Sequence, residues 1–229
     1  MEREKGIRAK RTEQVLKPFG NYAYTGDFLR GLVDSARLLL LAAQDERRPR
    51  GGENFLALHG PSAVLLAVTA FESFINDALW MCLRTLTVNE AAFQQLVKAD
   101  TLTDKFRDIP HLVTGGPELV NEDVALMQQV RHEIVHFYPR PVGSTNVPEW
   151  LQPLAERGLL YSIGSAPKDI GWQQKLQSFQ LARWCGQVTS VAAEQFAEAL
   201  AAGEQGEDHL SMVAYNVRIT APYFRALVI

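Results

Sequence analysis

The segment GPSAVLLAVTAFESFINDALWMCLRTL (residues 60–86) constrains this chain more than any other. It is apolar almost all round, so a helix built from it has no water-facing side and must be the buried centre of a larger assembly. Gly60 stands at the N-cap position and Pro61 at the first helical position, where its missing N–H would be unsatisfied in any residue. The most continuous apolar run, AVLLAVTAF (63–71), is interrupted by Glu72 and is too short to span a bilayer. A buried helix of this kind needs partners that each offer one apolar face.

The rest of the chain supplies such partners. TGDFLRGLVDSARLLLLAAQDERR begins with Thr25 or Asp27 as a cap, and Phe28, Leu32, Ser35/Ala36 and Leu39 follow helical spacing. The turn-rich stretch DERRPRGGEN (45–54) ends it. NEAAFQQLVKA (89–99) reads as a shorter helix. TLTDKFRDIPHLVTGGPE reads as a turn or short helix ended by Pro110 and a Gly-Gly-Pro turn. Asn121 is a strong N-cap for EDVALMQQVRHEIVHFY, with Glu122 and Asp123 at the positive end of the helix dipole and Pro139 and Pro141 as its stop.

Residues 140–170 form an irregular insertion rich in Pro, Gly and Ser, with room for a short helix near EWLQPLAERG. A long helix is expected over roughly 171–203. Beyond it, MVAYNVRI reads as a short strand or an extended segment docked on the body. No internal repeat and no set of alternating strands is visible. The expected architecture is all-α: an N-terminal basic arm (1–19), an up-and-down helical bundle (20–205) carrying the insertion, and a C-terminal tail (206–229).

Composition excludes several classes. At 47% hydrophobic and 21% charged, with a net charge of −3, the chain is neither collagenous, coiled-coil nor disordered. It also lacks the broad basic surface of proteins that coat nucleic acid nonspecifically, although a small local RNA site remains compatible with that charge. Cys82 and Cys185 lie inside apolar helical patterns and read as buried thiols of a reducing compartment. MEREKGIRAKR has no apolar signal-peptide region, so a cytoplasmic protein without a membrane segment is expected.

The densest concentration of chemistry is QVRHEIVHFYPR (129–140), which holds two of the chain's five histidines. At about 100° per residue, with Arg131 at zero, Leu126, Met127, Val130, Ile134 and Phe137 gather between about 220° and 320°. His132 falls at about 100° and His136 at about 140°, so Arg131, His132 and His136 make a polar strip away from the core stripe.

Two chemistries fit those residues. His132-Glu133-Ile134-Val135-His136 is an H-E-x-x-H pattern, in which histidines one helical turn apart bind Zn²⁺ and the glutamate activates the bound water. That reading needs a third ligand, and the extended zinc pattern fails because Pro139 and Val142 occupy the positions it requires. It also needs an edge strand to hold the substrate, and none is visible before residue 121. A zinc hydrolase therefore stands as the remote alternative, and no cofactor or metal is expected.

Starting at Arg131 instead, the same residues resemble the Arg-polar-x-x-x-His motif of HEPN domains, which are small α-helical bundles. AVLLAVTAFESFINDAL is similar to the family's buried helix, with Glu72 flanked by Phe71 and Phe74, and TLTDKFRDIP resembles the linker that often follows. The likeness covers roughly 26–203 and is specific at 129–139. His132 departs from the commoner Asn.

The resemblance implies a metal-independent endoribonuclease that cleaves RNA by 2′-OH attack at a site composed across a homodimer. It also implies use as a toxin or phage-defence effector with an antitoxin or defence-system partner. His136 would move protons, Arg131 would hold the phosphate and offset its developing charge, and His132 would orient the phosphate or assist His136. Glu72, Gln128 and Glu133 are supporting or structural partners, with Glu72 expected as a partnered buried acid and Arg131 as its ion-pair partner. The main alternative is a non-catalytic HEPN-like module that binds RNA, a nucleotide or a protein.

Overall fold

A computed structural model describes residues 25–46, 57–85, 90–99, 101–136, 148–161, 172–202 and 208–229. Among them every regular element is helical, so the protein is all-α. The expected basic arm (1–19) and parts of the insertion (140–147 and 162–170) lie outside the described residues.

Helix α1 (Thr25–Asp45) packs along α2 (Gly60–Thr85). It buries Leu29, Val33, Ala36, Leu40 and Ala43, whereas Phe28, expected in the apolar stripe, is 64% exposed. The stripe lies one residue from its expected register because LLLLAA (38–43) is apolar on every face. Spacing alone cannot choose among those faces; the partner helix does. The end of α1 is tied to the start of α2 through Glu46, whose carboxylate accepts from Leu58 N at 2.6 Å and His59 N at 3.3 Å and meets the His59 ring.

By length and composition the span Gly60–Cys82 could cross a membrane, so the run at 63–71 understates it. Half of its most apolar window is buried inside the protein, against α1 and four helices later in the chain. Helix α3 (Glu90–Lys98) leads to α4 (Leu102–Thr114). Pro110 does not end α4: the helix runs four residues further, to a left-handed Gly115 (φ 70°) whose N–H donates to His111 O. Pro110 lacks one ladder donor, but its ring is buried beside Ile109, and Gly115 adopts the αL cap without a Cβ penalty.

After α5 (Glu122–Val135), a 3₁₀ turn (Glu149–Leu151) and the short α6 (Gln152–Glu156) put Leu151, Leu154 and Leu160 into the core, so this part of the insertion is built in. The expected long helix is divided. A single turn, α7 (Trp172–Lys175), precedes a break, and α8 (Phe179–Ala201) restarts on Ser178, whose hydroxyl accepts from Leu181 N. At the break Gln177 O accepts from Ala57 N at 2.9 Å, pairing two connections.

The tail is the largest departure. MVAYNVRI belongs to helix α9 (Asp208–Thr220), not to a strand or extended segment, and a 3₁₀ helix (Ala221–Leu227) follows. Val213, Val217, Ala221 and Phe224 are buried at helical spacing, and with Leu227 they share the core of the preceding helices. Its β-branched content suits a strand, but this one-sided apolar stripe is satisfied only by a helix laid on α8 and α2.

The 3₁₀ helix sits close enough to α8 that a Cβ on Gly186 would stand 2.7 Å from Leu227 O. Phe224 lies edge-on to Phe71 and Phe74, with centroids 6.2 and 5.5 Å apart, and Phe106 and Phe196 complete the aromatic cluster. The C-terminal segment therefore supports the turn of α2 that carries Glu72.

Candidate functional site

Helix α5 starts where its sequence says it should. Asn121 Oδ1 accepts from Asp123 N at 3.0 Å and Val124 N at 3.3 Å, satisfying two of the otherwise unpaired first-turn amides. Asp123 is further held by Arg157 Nη1 at 2.6 Å, which ties the start of α5 to the residue after α6. Val124, Leu126, Met127 and Val130 are buried, and Thr189 of α8 donates to Met127 Sδ. The helix is thus fixed in rotation, and its polar strip is set by the faces that are already occupied.

The other end of α5 carries the motif. His132 and His136 are exposed, and their rings lie 4.6 Å apart between centroids at an interplanar angle of 44°. His136 is the C-cap, and its N–H donates to His132 O at 2.8 Å, so the backbone itself holds the two residues one turn apart. Glu133 is half-buried. Phe137, expected in the core stripe, lies outside the described residues.

Arg131 does not join the histidine pair against solvent. It reaches α2, where Nη2 stands 3.7 Å from Glu72 Oε2. Glu72 is partnered as expected but not buried: its side chain is 34% exposed, beside an arginine that is 36% exposed. The two are therefore a half-solvated pair at a helix seam, where an ion pair adds little stability. Arg131 Nε is buried and has no hydrogen-bond partner among the described residues.

Gln128, one turn before Arg131, also faces a neighbouring helix. Its Oε1 accepts from Thr103 N at 3.0 Å and Thr103 Oγ1 at 2.8 Å, capping the first turn of α4 from outside. Its part is structural. The same seam contains Lys105 Nζ donating to Asn76 Oδ1 at 2.9 Å. Sequence spacing could place Lys105 and Asn76 only on polar faces; their pairing depends on how α2 and α4 meet. Beside Asn76, burial raises the Asp77 carboxyl above the usual carboxylate range.

A scan against protein-family models finds no match, and searches of curated proteins and of solved structures find none either. The chemistry of the site therefore has to be argued from its own residues.

Two other chemistries have less to work with. Cys82 and Cys185 are free and fully buried, and burial pushes both thiols up, Cys82 to about 12, so each stays a protonated core residue. For zinc hydrolysis, His132 and His136 supply two nitrogens, but among the described residues no three His, Cys, Asp or Glu side chains are grouped as a metal site. Trp150, a possible base-stacking platform from its loop position, is packed against the core. A groove of about 370 Å³ between α8 and the C-terminal helices is bordered by Glu194, Glu198, Arg218 and Arg225. Nothing in the sequence marked it, because it exists only once the tail is helical.

Proposed function

We propose that the protein is a metal-independent endoribonuclease that cleaves RNA by attack of a 2′-hydroxyl on the neighbouring phosphate. The observation that carries this reading is the pairing of two exposed imidazoles, 4.6 Å apart, on the helix turn that also holds Arg131 against Glu72. The reaction needs a base for the 2′-OH proton, an acid for the leaving 5′-oxygen, and positive charge beside the crowded phosphorane. His136 is the residue for proton transfer, because imidazole exchanges a proton near neutral pH. His132 stands next to it and orients the phosphate or supplies the second proton step. Arg131, whose side chain is 36% exposed, offers the charge of its guanidinium to the phosphate.

Arg131 faces α2 while the histidines face solvent, so a single copy offers one phosphate an incomplete set of groups. A second copy related by a two-fold axis would bring both sets together. The 47% exposed Val135, on the same turn, gives that face an apolar contact for the partner. In this reading the chain acts as a cytoplasmic homodimer with RNA as substrate, of the toxin or defence-effector kind implied by the HEPN resemblance, under the control of an antitoxin or defence-system partner.

A non-catalytic binding module is the second reading, and the ion pair of Arg131 with Glu72 favours it, since a structural arginine needs no substrate. Incubating purified protein with total RNA, with and without EDTA, separates the two. EDTA-resistant cleavage that leaves cyclic-phosphate ends and disappears in His136→Ala is the expected result. RNA binding without cleavage would replace the first reading with the second.

A further inference from the structure

The two histidines also have a geometry that proton transfer does not require. Metal–imidazole bonds are about 2.0–2.1 Å, and a ring centre lies roughly 1.1–1.2 Å behind its donor nitrogen, so a bound ion sits about 3.2 Å from each centre. For nitrogen–metal–nitrogen angles between about 90° and 110°, the ring centres must then lie about 4.5–5.2 Å apart. The His132 and His136 centres are 4.6 Å apart. Both side chains are exposed, so rotation about their terminal bonds can turn one nitrogen of each ring toward a common point. The backbone bond from His136 N to His132 O holds this spacing.

We propose that His132 and His136 form an open two-histidine site for a divalent transition ion of the zinc or copper class, and that the bound ion switches the site off. The inhibitory half of this inference rests on the ribonuclease reading; the binding half does not. An imidazole nitrogen binds a metal through the same lone pair that accepts a proton, so a metallated His136 cannot serve as a base. With two protein ligands the ion keeps water in its remaining positions and exchanges readily, unlike a structural zinc held by four. Glu133 is no ligand in this arrangement, as it is none in an H-E-x-x-H hydrolase; what separates the two is that no third protein ligand is grouped with the histidines among the described residues.

The test is calorimetric titration of EDTA-stripped full-length protein with ZnCl₂ and with CuCl₂, beside His132→Ala, His136→Ala and Glu133→Gln. Expected is one ion per chain, with roughly tenfold or greater weakening in either histidine variant, since each loses one of two protein ligands, and no change in Glu133→Gln. Copper bound to the wild type should show an electron-paramagnetic-resonance signal with nitrogen ligands. No binding, binding indifferent to the histidine variants, or binding lost in Glu133→Gln would overturn the site. RNA cleavage is followed in parallel, and zinc inhibition reversed by EDTA is expected. Ion binding by a protein that never cleaves RNA would sink the ribonuclease reading and its inhibitory corollary alone. Cleavage by a protein that binds no ion would sink the metal site alone.

Discussion

Two faces of the middle of α2 are stabilised in opposite ways. Where the 3₁₀ helix meets α8 and α1, contact is dry and close: Gly186 has no room for a methyl group, and Phe224 is fully buried against Phe71 and Phe74. On the other face the contacts are polar and half-solvated: Arg131–Glu72 joins α5 to α2, Gln128–Thr103 joins α5 to α4, and Lys105–Asn76 joins α4 to α2. The first region contributes stability, with the groove beside α8 as its opening toward a ligand. The second contributes little stability and leaves charged groups and imidazoles within reach of one. The two regions should therefore respond to mutation in different assays.

The comparison breaks most readily at His136. Under the ribonuclease reading, His136→Ala should lower RNA cleavage about 10²–10⁴-fold, the usual worth of a positioned acid–base group. Because the side chain is exposed, the same variant should move unfolding free energy by no more than about 0.5 kcal/mol. A large fall in melting temperature would show that the motif is structural after all.

Phe224→Ala probes the dry face and should cost about 3–5 kcal/mol in chemical denaturation, as for other buried aromatic truncations. Gly186→Ala should cost about 1–3 kcal/mol, because the added methyl meets the carbonyl of Leu227 and the 3₁₀ helix has to lift. A neutral Gly186→Ala would mean that the C-terminal segment is less firmly seated than the contact implies.

Asn121→Ala removes the cap of α5 and should cost about 1 kcal/mol, measurable as a shift in denaturant midpoint at unchanged slope. The smallest expected effect is at Asp77. Burial raises its folded-state pKa above 3.8, so the folded protein holds this proton more tightly than the unfolded chain does. Its unfavourable contribution is absent below 3.8 and develops as pH rises through the folded value. Asp77→Asn should therefore stabilise the protein slightly at pH 7 and leave it unchanged at low pH. Stability curves of the two proteins that stay parallel across that range would contradict the assignment.

Much of this was legible in the residues. The segment at 60–86 had to take the central place because so little of it suits water, although the structure leaves its Glu72 and Asn76 side partly solvated, and Asn121 had to start α5 because its side chain can accept from free first-turn amides. The polar strip on α5 also followed from spacing, because Val124, Met127 and Val130 leave only one direction for His132 and His136. Other features were not legible. Leu38–Ala43 are apolar on all faces, so the sequence left the register of α1 open. Pro110 reads as a stop, yet a helix can lose one donor when the ring is buried and a glycine waits downstream.

Local pattern, then, determined that α1, α2 and α5 are helical and where α5 begins, because periodicity and capping act within a few residues of chain. Only the tertiary structure decided what those helices meet. It turned MVAYNVRI from an expected short strand or extended segment into part of a helix that completes the core, set Arg131 at 3.7 Å from Glu72, and left His132 and His136 facing solvent at a spacing of 4.6 Å. The physical reason is one of range: a backbone bond or a cap is settled by near neighbours, whereas burial and ion pairing depend on residues brought together from distant parts of the chain.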